Sequence, residues 1–418
     1  MDESSLTMDL YIFNETNRAA VYGIGTYIRE LSAALKESAI NVCVVHLMSD
    51  RPDVEMVQTN HIRHLFIPSP IQPNTSLDSL KKRELYYRSV VYLLRLQITD
   101  TNALVFHMNH SKNHKLAEEL KKVFNCVIIT SIHCLEWSFL LFGNVTHFRK
   151  IVASANDELK KNIDEMYRRE KDYFDIVDNI ICLSENTRQI IQNDYLIKPK
   201  KIKVIYNGLS DNNSKQNRQF LQTKYNIPNL PVFLFAGRLA DIKGLVYALR
   251  AFKYVLKTQS KCHFIIAGDG SFDIYMKECE DIWMNVTWTG KIEKDKLYDL
   301  YSIADIGVMP SFHEQCSYVA IEMMMHGLPI IGSTTTGLKE MIIDGETGLH
   351  IPVIEYDDRV DIDASLLADK MLYLLQNPEK RKTLGVNARK RYETVYSSEV
   401  FSRNMTNFYA SLLEKERL

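Results

Sequence analysis

The 418-residue sequence is longer than one hydrophobic core usually supports, which predicts two domains. Its 51 basic and 52 acidic residues nearly balance, which argues against a nucleic acid or another polyanion as partner. The seven cysteines are scattered without a CxxC pair, the first seven residues do not resemble a signal sequence, and no apolar run reaches the roughly 18 residues of a membrane span. These features predict a cytoplasmic protein.

Strands alternate with helices through the first half of the chain, from a strand at 8–13 to a strand at 201–206. This rhythm indicates a parallel sheet covered on both faces. Gly23 and Gly25 open the first helix, where small residues allow a ligand to approach the backbone closely. A dinucleotide fingerprint would need a third glycine where Ile28 stands, so a nicotinamide oxidoreductase is disfavoured.

Residues 77–97 predict a helix in which basic side chains are interleaved with tyrosines and leucines. One interpretation is an amphipathic helix with a solvated basic face. The other is a peripheral contact of residues 77–98 with the inner face of a membrane. The sequence leaves both interpretations open.

His133 follows the strand predicted at 126–132. In open α/β sheets ligands bind outside the carboxyl ends of the strands, so this imidazole is a candidate functional group. His107 and His110, at the end of the preceding strand, are weaker candidates for the same reason.

The polar segment 210–217 predicts a linker, after which the alternation of strands and helices restarts. A strand at 231–236 leads into a loop that contains Gly237, Arg238 and Lys243. A guanidinium fork and a lysine ammonium group at a strand end can hold an anion.

Two glutamates flank the start of a later helix. Glu314 lies in the loop after a strand that ends at Pro310, and Glu322 lies two turns into the helix 317–325. The first N–H groups of this helix, around Cys316, Ser317 and Tyr318, form a potential anion site. Downstream, Gly337 precedes a further helix whose N–H groups could hold phosphate or sugar hydroxyls.

The run from Asp305 to Leu349 resembles the donor-binding signature of retaining GT-B glycosyltransferases of family 4. It contains both glutamates with seven residues between them, then His326-Gly327-Leu328-Pro329 and a strand. The resemblance implies an α/β protein of GT-B fold, with two Rossmann-like, doubly wound parallel-sheet domains facing a central cleft. The expected domains are 1–209, completed by a C-terminal helix at 396–418, and 210–395.

The same resemblance implies residue roles. Arg238 and Lys243 would stabilise the leaving diphosphate, Glu314 would contact the transferred sugar, and His133 would complete the catalytic set. Glu322 would accept hydrogen bonds from the ribose hydroxyls. The expected donor-binding residues are Gly23, Gly25, Gly237, Cys316, Ser317, Tyr318, Glu322 and Gly337.

The resemblance also implies a UDP-, GDP- or ADP-sugar as co-substrate, no separate cofactor, and a glycan, lipid or peptide acceptor. It further implies retention of anomeric configuration without an essential metal. The sequence is consistent with the last expectation, because its single Asp-x-Asp triplet, Asp361-Ile362-Asp363, precedes a C-terminal helix and reads as a surface turn or N-cap. The alternative is a GT-B relative that does not transfer sugar: a sugar-nucleotide binder, a hydrolase or an epimerase.

Overall fold

The computed structural model describes residues 7–15, 23–70, 80–99, 103–110, 113–154, 158–213 and 216–416. Contacts divide the chain into two compact units. The first unit comprises residues 1–136, 155–208 and 398–418, and the second comprises 137–154 and 209–397. Each unit is built around its own predominantly parallel sheet.

The sheet of the first unit has the strand order β3-β4-β2-β1-β5-β6-β7-β8. Strand β1 pairs in parallel with both β2 and β5, so the direction of winding reverses at β1. Only the edge strand β3 is antiparallel to its neighbour. The strands are β1 (Met8–Glu15), β2 (Ile40–Ser49), β3 (Glu55–Thr59), β4 (Ile62–Pro68), β5 (Ala103–Met108), β6 (Val127–Ile132), β7 (Asn179–Cys182) and β8 (Ile202–Val204).

Amphipathic helices cover this sheet, and the last helix of the chain returns to it. That helix contacts the first helix, where the Ser402 hydroxyl donates to the Ala34 carbonyl. It also reaches the sheet, where the Tyr409 hydroxyl lies 2.6 Å from Nδ1 of His107. The helices are α1 (Gly23–Ala34), α2 (Leu80–Gln97), α3 (His114–Val123), α4 (Glu136–Leu140), α5 (Val145–Ala153), α6 (Glu158–Ile176), α7 (Glu185–Asn193) and, at the end of the chain, α16 (Ser398–Glu416).

The sheet of the second unit has the order β11-β10-β9-β12-β13-β14, and all of its pairs are parallel. Its strands are β9 (Val232–Ala236), β10 (His263–Ala267), β11 (Val286–Gly290), β12 (Ile306–Met309), β13 (Ile330–Ser333) and β14 (Gly348–Ile351). A separate antiparallel hairpin consists of β15 (Ile354–Glu355) and β16 (Val360–Asp361). The helices are α8 (Arg218–Lys224), α9 (Leu245–Thr258), α10 (Asp273–Glu278), α11 (Lys294–Ile303), α12 (Tyr318–Met325), α13 (Leu338–Met341), α14 (Ala364–Gln376) and α15 (Pro378–Arg391).

The segment 137–154 belongs to the second unit, whereas the sequence-based boundary includes it in the first domain. The physical reason is its apolar side chains. Trp137 is buried and stacks on Phe148 at 4.2 Å between ring centroids, and Phe142 meets Phe312 edge-to-face at 5.8 Å. The chain therefore leaves the first unit after Glu136 and re-enters it at Ala155.

The predicted α/β class with two Rossmann-like parallel-sheet domains is confirmed. The antiparallel pairings were not predicted. Strand β3 is an edge strand with mostly exposed side chains, and β15 and β16 have only two residues each. None of these three strands has the apolar run that identifies a buried strand in a sequence.

Candidate functional site

Glycines stand at the carboxyl ends of three adjacent strands of the second unit: Gly237 follows β9, Gly268 follows β10 and Gly290 ends β11. The Gly237 N–H donates to the Ala267 carbonyl at 2.9 Å, and the Gly268 N–H donates to the Gly290 carbonyl at 3.0 Å. Gly268 has φ +153°, and a Cβ there would lie 1.7 Å from the Gly237 carbonyl oxygen. Only glycine permits this contact, which fixes the backbone immediately before Arg238.

The loop after β9 packs on the loop after β12. A 3₁₀ turn at Asp241–Lys243 ends at Gly244, which has φ +67°. A Cβ on Gly244 would lie 2.0 Å from the Pro310 carbonyl oxygen. The Phe312 N–H donates to the Ile242 carbonyl at 2.8 Å, so the two loops are joined through their backbones.

This packing brings together two of the residues predicted for catalysis. Nζ of Lys243 lies 2.5 Å from Oε1 of Glu314, and the two side chains are 19% and 11% exposed. Arg238 lies on the same loop as Lys243 and is half-buried, and its side chain makes no hydrogen bond or ion pair with the part of the chain that the structure describes. An ion pair and an uncompensated guanidinium thus occur at the carboxyl edge of this sheet.

The loop after β13 holds the backbone of Glu314. The Thr336 hydroxyl donates to the Glu314 carbonyl, and the Gly337 N–H donates to the same oxygen at 2.8 Å. A Cβ on Gly337 would lie 1.6 Å from the Gln315 carbonyl oxygen. The Gly337 N–H thus helps to fix the position of Glu314, and the binding of phosphate or sugar by the helix that begins at Leu338 stays a prediction.

Helix α12 begins where the sequence places the phosphate cradle. Cys316 is buried, Ser317 is the N-cap residue, and Tyr318 is the first helical residue. The Ser317 side chain makes no capping hydrogen bond. The backbone N–H of Ser317 donates to Sδ of Met341 at 3.2 Å. Because a thioether is a weak acceptor, this amide can exchange its partner for a phosphate oxygen.

Glu322 on α12 is completely buried, and both of its carboxylate oxygens are already engaged. Oε1 accepts from Nζ of Lys294, and Oε2 accepts from the Tyr301 hydroxyl at 2.9 Å. Lys294 is the first residue of α11, and its side chain is 47% exposed. The sequence analysis identified neither partner. A buried glutamate signals that a partner must exist, but not which of the chain's lysines supplies it.

His313, directly before Glu314, was also missed. Its Nε2 lies 3.1 Å from Oγ of Ser138 in the segment 137–154. Burial lowers the pKa of this imidazole to about 4. The charge of Glu314 raises the pKa and that of Lys243 lowers it, and both effects are smaller than the effect of burial. His313 is therefore neutral at physiological pH and links this segment to the loop that carries Glu314.

The remaining predicted residues lie in the first unit. Nε2 of His133 is 3.2 Å from Oδ1 of Asn109, and the ring meets Tyr27 edge-to-face at 4.8 Å. Burial, followed by the charges of His110 and His107, lowers the pKa of His133 to about 3, so its imidazole is neutral. The weaker candidate His107 is buried, with its ring nitrogens within hydrogen-bond distance of the Tyr409 and Ser131 hydroxyls.

Gly23 and Gly25 form the first turn of α1, where Gly23 is exposed and Gly25 is buried. A Cβ on Gly23 would meet no atom of the described residues within 4 Å. The loop 16–22 that leads to these glycines lies outside the described residues.

Helix α2 contains the segment considered for membrane contact, of which residues 77–79 lie outside the described part. Its Leu85, Tyr92 and Leu96 side chains are 68%, 66% and 63% exposed. Within the described residues, no helix has the length and apolarity needed to cross a bilayer. The same residues include no cluster of three or more His, Cys, Asp or Glu arranged to hold a metal ion.

Comparisons with known proteins match both halves of the chain. A family described as Glycosyltransferase Family 4 matches residues 21–213, and one described as Glycosyl transferases group 1 matches residues 217–391. The alpha-D-kanosaminyltransferase of Streptomyces kanamyceticus is 25% identical over 48% of this chain and 51% of its own length. The lipopolysaccharide 1,2-N-acetylglucosaminetransferase of Salmonella typhimurium is 29% identical over 50% of this chain and 57% of its own length. The chain therefore spans a little over half the length of these curated relatives.

Solved structures match over nearly the whole chain. Sucrose-phosphate synthase from Thermosynechococcus elongatus superposes with a TM-score of 0.78 at 21% identity, covering 98% of this chain and 100% of that one. HepE from Anabaena, solved in complex with UDP, superposes with a TM-score of 0.72 at 15% identity, covering 97% and 100%. At these identities the likeness shows the fold. Together with the two family matches, it identifies the chain as a GT-B glycosyltransferase of the group 1 family.

Proposed function

We propose that the chain transfers a sugar from a nucleotide-sugar to an acceptor hydroxyl, with retention of anomeric configuration. The observation that carries this proposal is the pairing of Lys243 with Glu314, on the same loop as the uncompensated Arg238. A departing nucleoside diphosphate gains negative charge in the transition state. Two cations fixed at the end of a sheet stabilise that charge without a metal. The similar structure of HepE was solved in complex with UDP, which supports a nucleoside diphosphate as ligand.

The ion pair gives Lys243 and Glu314 distinct roles. In this structure Glu314 neutralises Lys243, and a donor diphosphate would compete for the same ammonium group. When Lys243 turns to the phosphate, the Glu314 carboxylate becomes available to a hydroxyl of the transferred sugar. The backbone of Glu314 stays in place because Thr336 and Gly337 hold its carbonyl.

Glu322 is proposed to accept from the ribose hydroxyls, which requires a change in its present contacts. Its carboxylate is bound by Lys294 and Tyr301 and has no exposed surface. Lys294 is the mobile partner of the two, because its side chain is about half exposed while Tyr301 is buried. Ribose binding would therefore displace the Lys294 ammonium group towards the donor.

The reaction needs no dedicated base if the leaving phosphate accepts the acceptor's proton. The bond from the anomeric carbon to the phosphate oxygen breaks, the bond to the acceptor oxygen forms on the same face, and the hydroxyl proton moves to the phosphate. The proposed role of Glu314 is to orient the sugar. Glu314→Gln should then slow transfer without trapping a sugar, and mass spectrometry that found a glycosylated Glu314 would overturn this mechanism.

In the first unit, the neutral His133 and the helix start at Gly23 and Gly25, of which Gly23 is exposed, are proposed to contact the donor sugar or the acceptor. The acceptor is proposed to be a glycan, a lipid-linked glycan or a peptide. The exposed leucines and tyrosine of α2 would support a peripheral contact with a lipid surface. Vesicle co-sedimentation of Leu85→Ser beside the native chain tests that contact.

The proposal is tested by release of nucleoside diphosphate from UDP-, GDP- and ADP-sugars without an acceptor. We expect slow release from one donor, which Lys243→Ala abolishes. Lys257→Ala, which removes a lysine from the C-terminal end of α9, should retain the release and serves as the matched control. If no donor is hydrolysed and none raises the melting temperature, transfer from a nucleotide-sugar is contradicted. Release that no hydroxyl acceptor accelerates would instead favour the alternative of a hydrolytic relative.

A further inference from the structure

A cavity of about 380 Å³ lies within the second unit, beside the loops that carry Lys243 and Glu314. Its walls come from the segment 137–154, from the start of α9 and from the tip of the β15–β16 hairpin. Asp241 and Gly244, which flank Lys243, line it, as does Phe312, two residues before Glu314. The side chains of Arg238, Lys243 and Glu314 do not line it. Its volume falls within the range of sites for small organic ligands.

Four aromatic rings line the cavity. The Phe312 ring lies between two of the others. Phe142 contacts it edge-to-face at 5.8 Å between ring centroids, and Tyr247 contacts it edge-to-face at 5.5 Å. Tyr275 is the fourth. Phe142 and Gly143 have φ of +50° and +73°, and this left-handed turn directs the Phe142 ring onto Phe312. Aromatic faces carry partial negative charge and attract cations.

Carboxylates surround the same space. Asp241 lines it and accepts from the Tyr275 hydroxyl at 3.5 Å. Asp358 lines it from the hairpin, with its side chain 76% exposed. Asp361, at the end of β16, accepts from the Tyr247 hydroxyl. Two of the tyrosines are thus held in place by carboxylates, and each of these contacts adds a negative charge near the rings.

The nearby cations are largely compensated. The Arg359 guanidinium lies 4.2 Å from the centre of the Tyr356 ring, which does not line the cavity, and 3.3 Å from Asp358. Arg250, close to Tyr247, pairs with Glu278 at 2.8 Å. The remaining basic residue of the lining is His147. Arg359 offsets Asp358 in the same way, so Asp241 and Asp361 remain as the carboxylates near the rings that make no ion pair within the described residues.

We propose that this cavity binds a small organic cation, a ring-bearing amine or a quaternary ammonium compound. Its ammonium group would face the aromatic rings and the carboxylates, which is the chemistry of aromatic cages. The proposal goes beyond sugar transfer and does not depend on it, since none of the residues proposed to bind the donor lines the cavity.

The test uses three probes of similar size and different charge in ligand-observed NMR titrations of the full chain. Benzyltrimethylammonium is cationic, benzyl alcohol is neutral and phenylacetate is anionic. We expect saturable binding of the cation, binding of the alcohol at least tenfold weaker, and no binding of the anion. Absence of saturable binding of the cation, or equal binding of cation and anion, would overturn the proposal.

Variants locate the binding. Tyr247→Leu removes one ring of the lining and should weaken binding of benzyltrimethylammonium about tenfold. Asp358→Asn removes an exposed charge and should weaken it about threefold, and because that side chain is 76% exposed the variant keeps its fold. Tyr254→Leu removes a tyrosine of the same helix that lies outside the lining and should change nothing. Equal losses in the two tyrosine variants would contradict the assignment.

Discussion

Lys243 and Glu314 are expected to contribute to the unfolding free energy in a coupled way. A double-mutant cycle measures this coupling. The variants are Lys243→Met, Glu314→Gln and their combination. Each single change removes one partner of the ion pair. The remaining charged side chain, which is less than one-fifth exposed, is then unpaired. Exposed ion pairs contribute about 0.2–1 kcal/mol, whereas removing one partner of a fully buried pair costs about 3–5 kcal/mol. An intermediate burial predicts a loss of about 2 kcal/mol for each single variant.

The unfolding free energy is obtained from urea denaturation followed by tryptophan fluorescence. This probe is selective, because all three tryptophans, at positions 137, 283 and 288, lie in the second unit together with the ion pair. The double variant should lose less than the sum of the single losses, with a coupling of about 1–2 kcal/mol. The half-exposed pair Arg250–Glu278 in the same unit is the control and should couple by about 0.5 kcal/mol. A Lys243–Glu314 coupling no larger than the control would refute the reasoning.

Three further predictions concern stability. Burial raises the pKa of Glu170 to about 8, so the stability that its neutral form contributes is lost as pH rises from about 4.5 through 8. Glu170→Gln should remove up to about 5 kcal/mol of this pH dependence, measured by denaturation followed by far-UV circular dichroism. Gly268→Ala should cost about 3 kcal/mol in tryptophan-monitored unfolding, because its Cβ would overlap the Gly237 carbonyl oxygen. Lys294→Met should cost about 3 kcal/mol by the same measurement, because it leaves the buried Glu322 carboxylate without its counter-ion, and adding Glu322→Gln should recover most of that loss.

Each of these changes has a control variant, either on the same helix or, for Gly268, at the end of a neighbouring strand. Glu165→Gln, on the same helix as Glu170 and 76% exposed, should leave the pH dependence unchanged. Gly290→Ala should cost about 1 kcal/mol, because a Cβ there meets no atom within 4 Å and only the positive φ is unfavourable. Lys296→Met, at an exposed position of α11, should have no effect. If the unfolding free energy of the native chain does not fall between pH 5 and 8, the argument for Glu170 is contradicted. If Gly268→Ala or Lys294→Met loses no more unfolding free energy than its control, the argument for that residue is contradicted.

The positions of Lys243 and Glu314 could be predicted because each follows a short apolar run that ends in glycine or proline. Such a run identifies a buried strand, and a residue just beyond it lies at the edge of the sheet. Their contact depends in addition on β9 and β12 being neighbours in the sheet, which the alternation of strands and helices does not specify. The family resemblance assigned both residues to one donor site, but it did not predict their ion pair.

Other features of the site depend on contacts between residues far apart in the sequence. Lys294 and Glu322 are 28 residues apart, and Ser138 and His313 are 175 apart. The sequence shows that a glutamate in an apolar helix needs a partner, but the chain has 51 basic residues to supply it. The segment 137–154 similarly shows an apolar face without showing which sheet it covers. Its placement in the second unit follows from contacts such as that of Phe142 with Phe312.

The central claim is that the second unit binds the diphosphate of a nucleotide-sugar through Arg238 and Lys243. Isothermal titration calorimetry of UDP, GDP and ADP, with NADH as the competing class of ligand, tests it directly. We expect one nucleoside diphosphate to bind, its corresponding nucleoside to bind far more weakly, and Arg238→Ala and Lys243→Met each to weaken the diphosphate at least tenfold. Binding of NADH alone, or diphosphate binding that neither variant changes, would contradict the account.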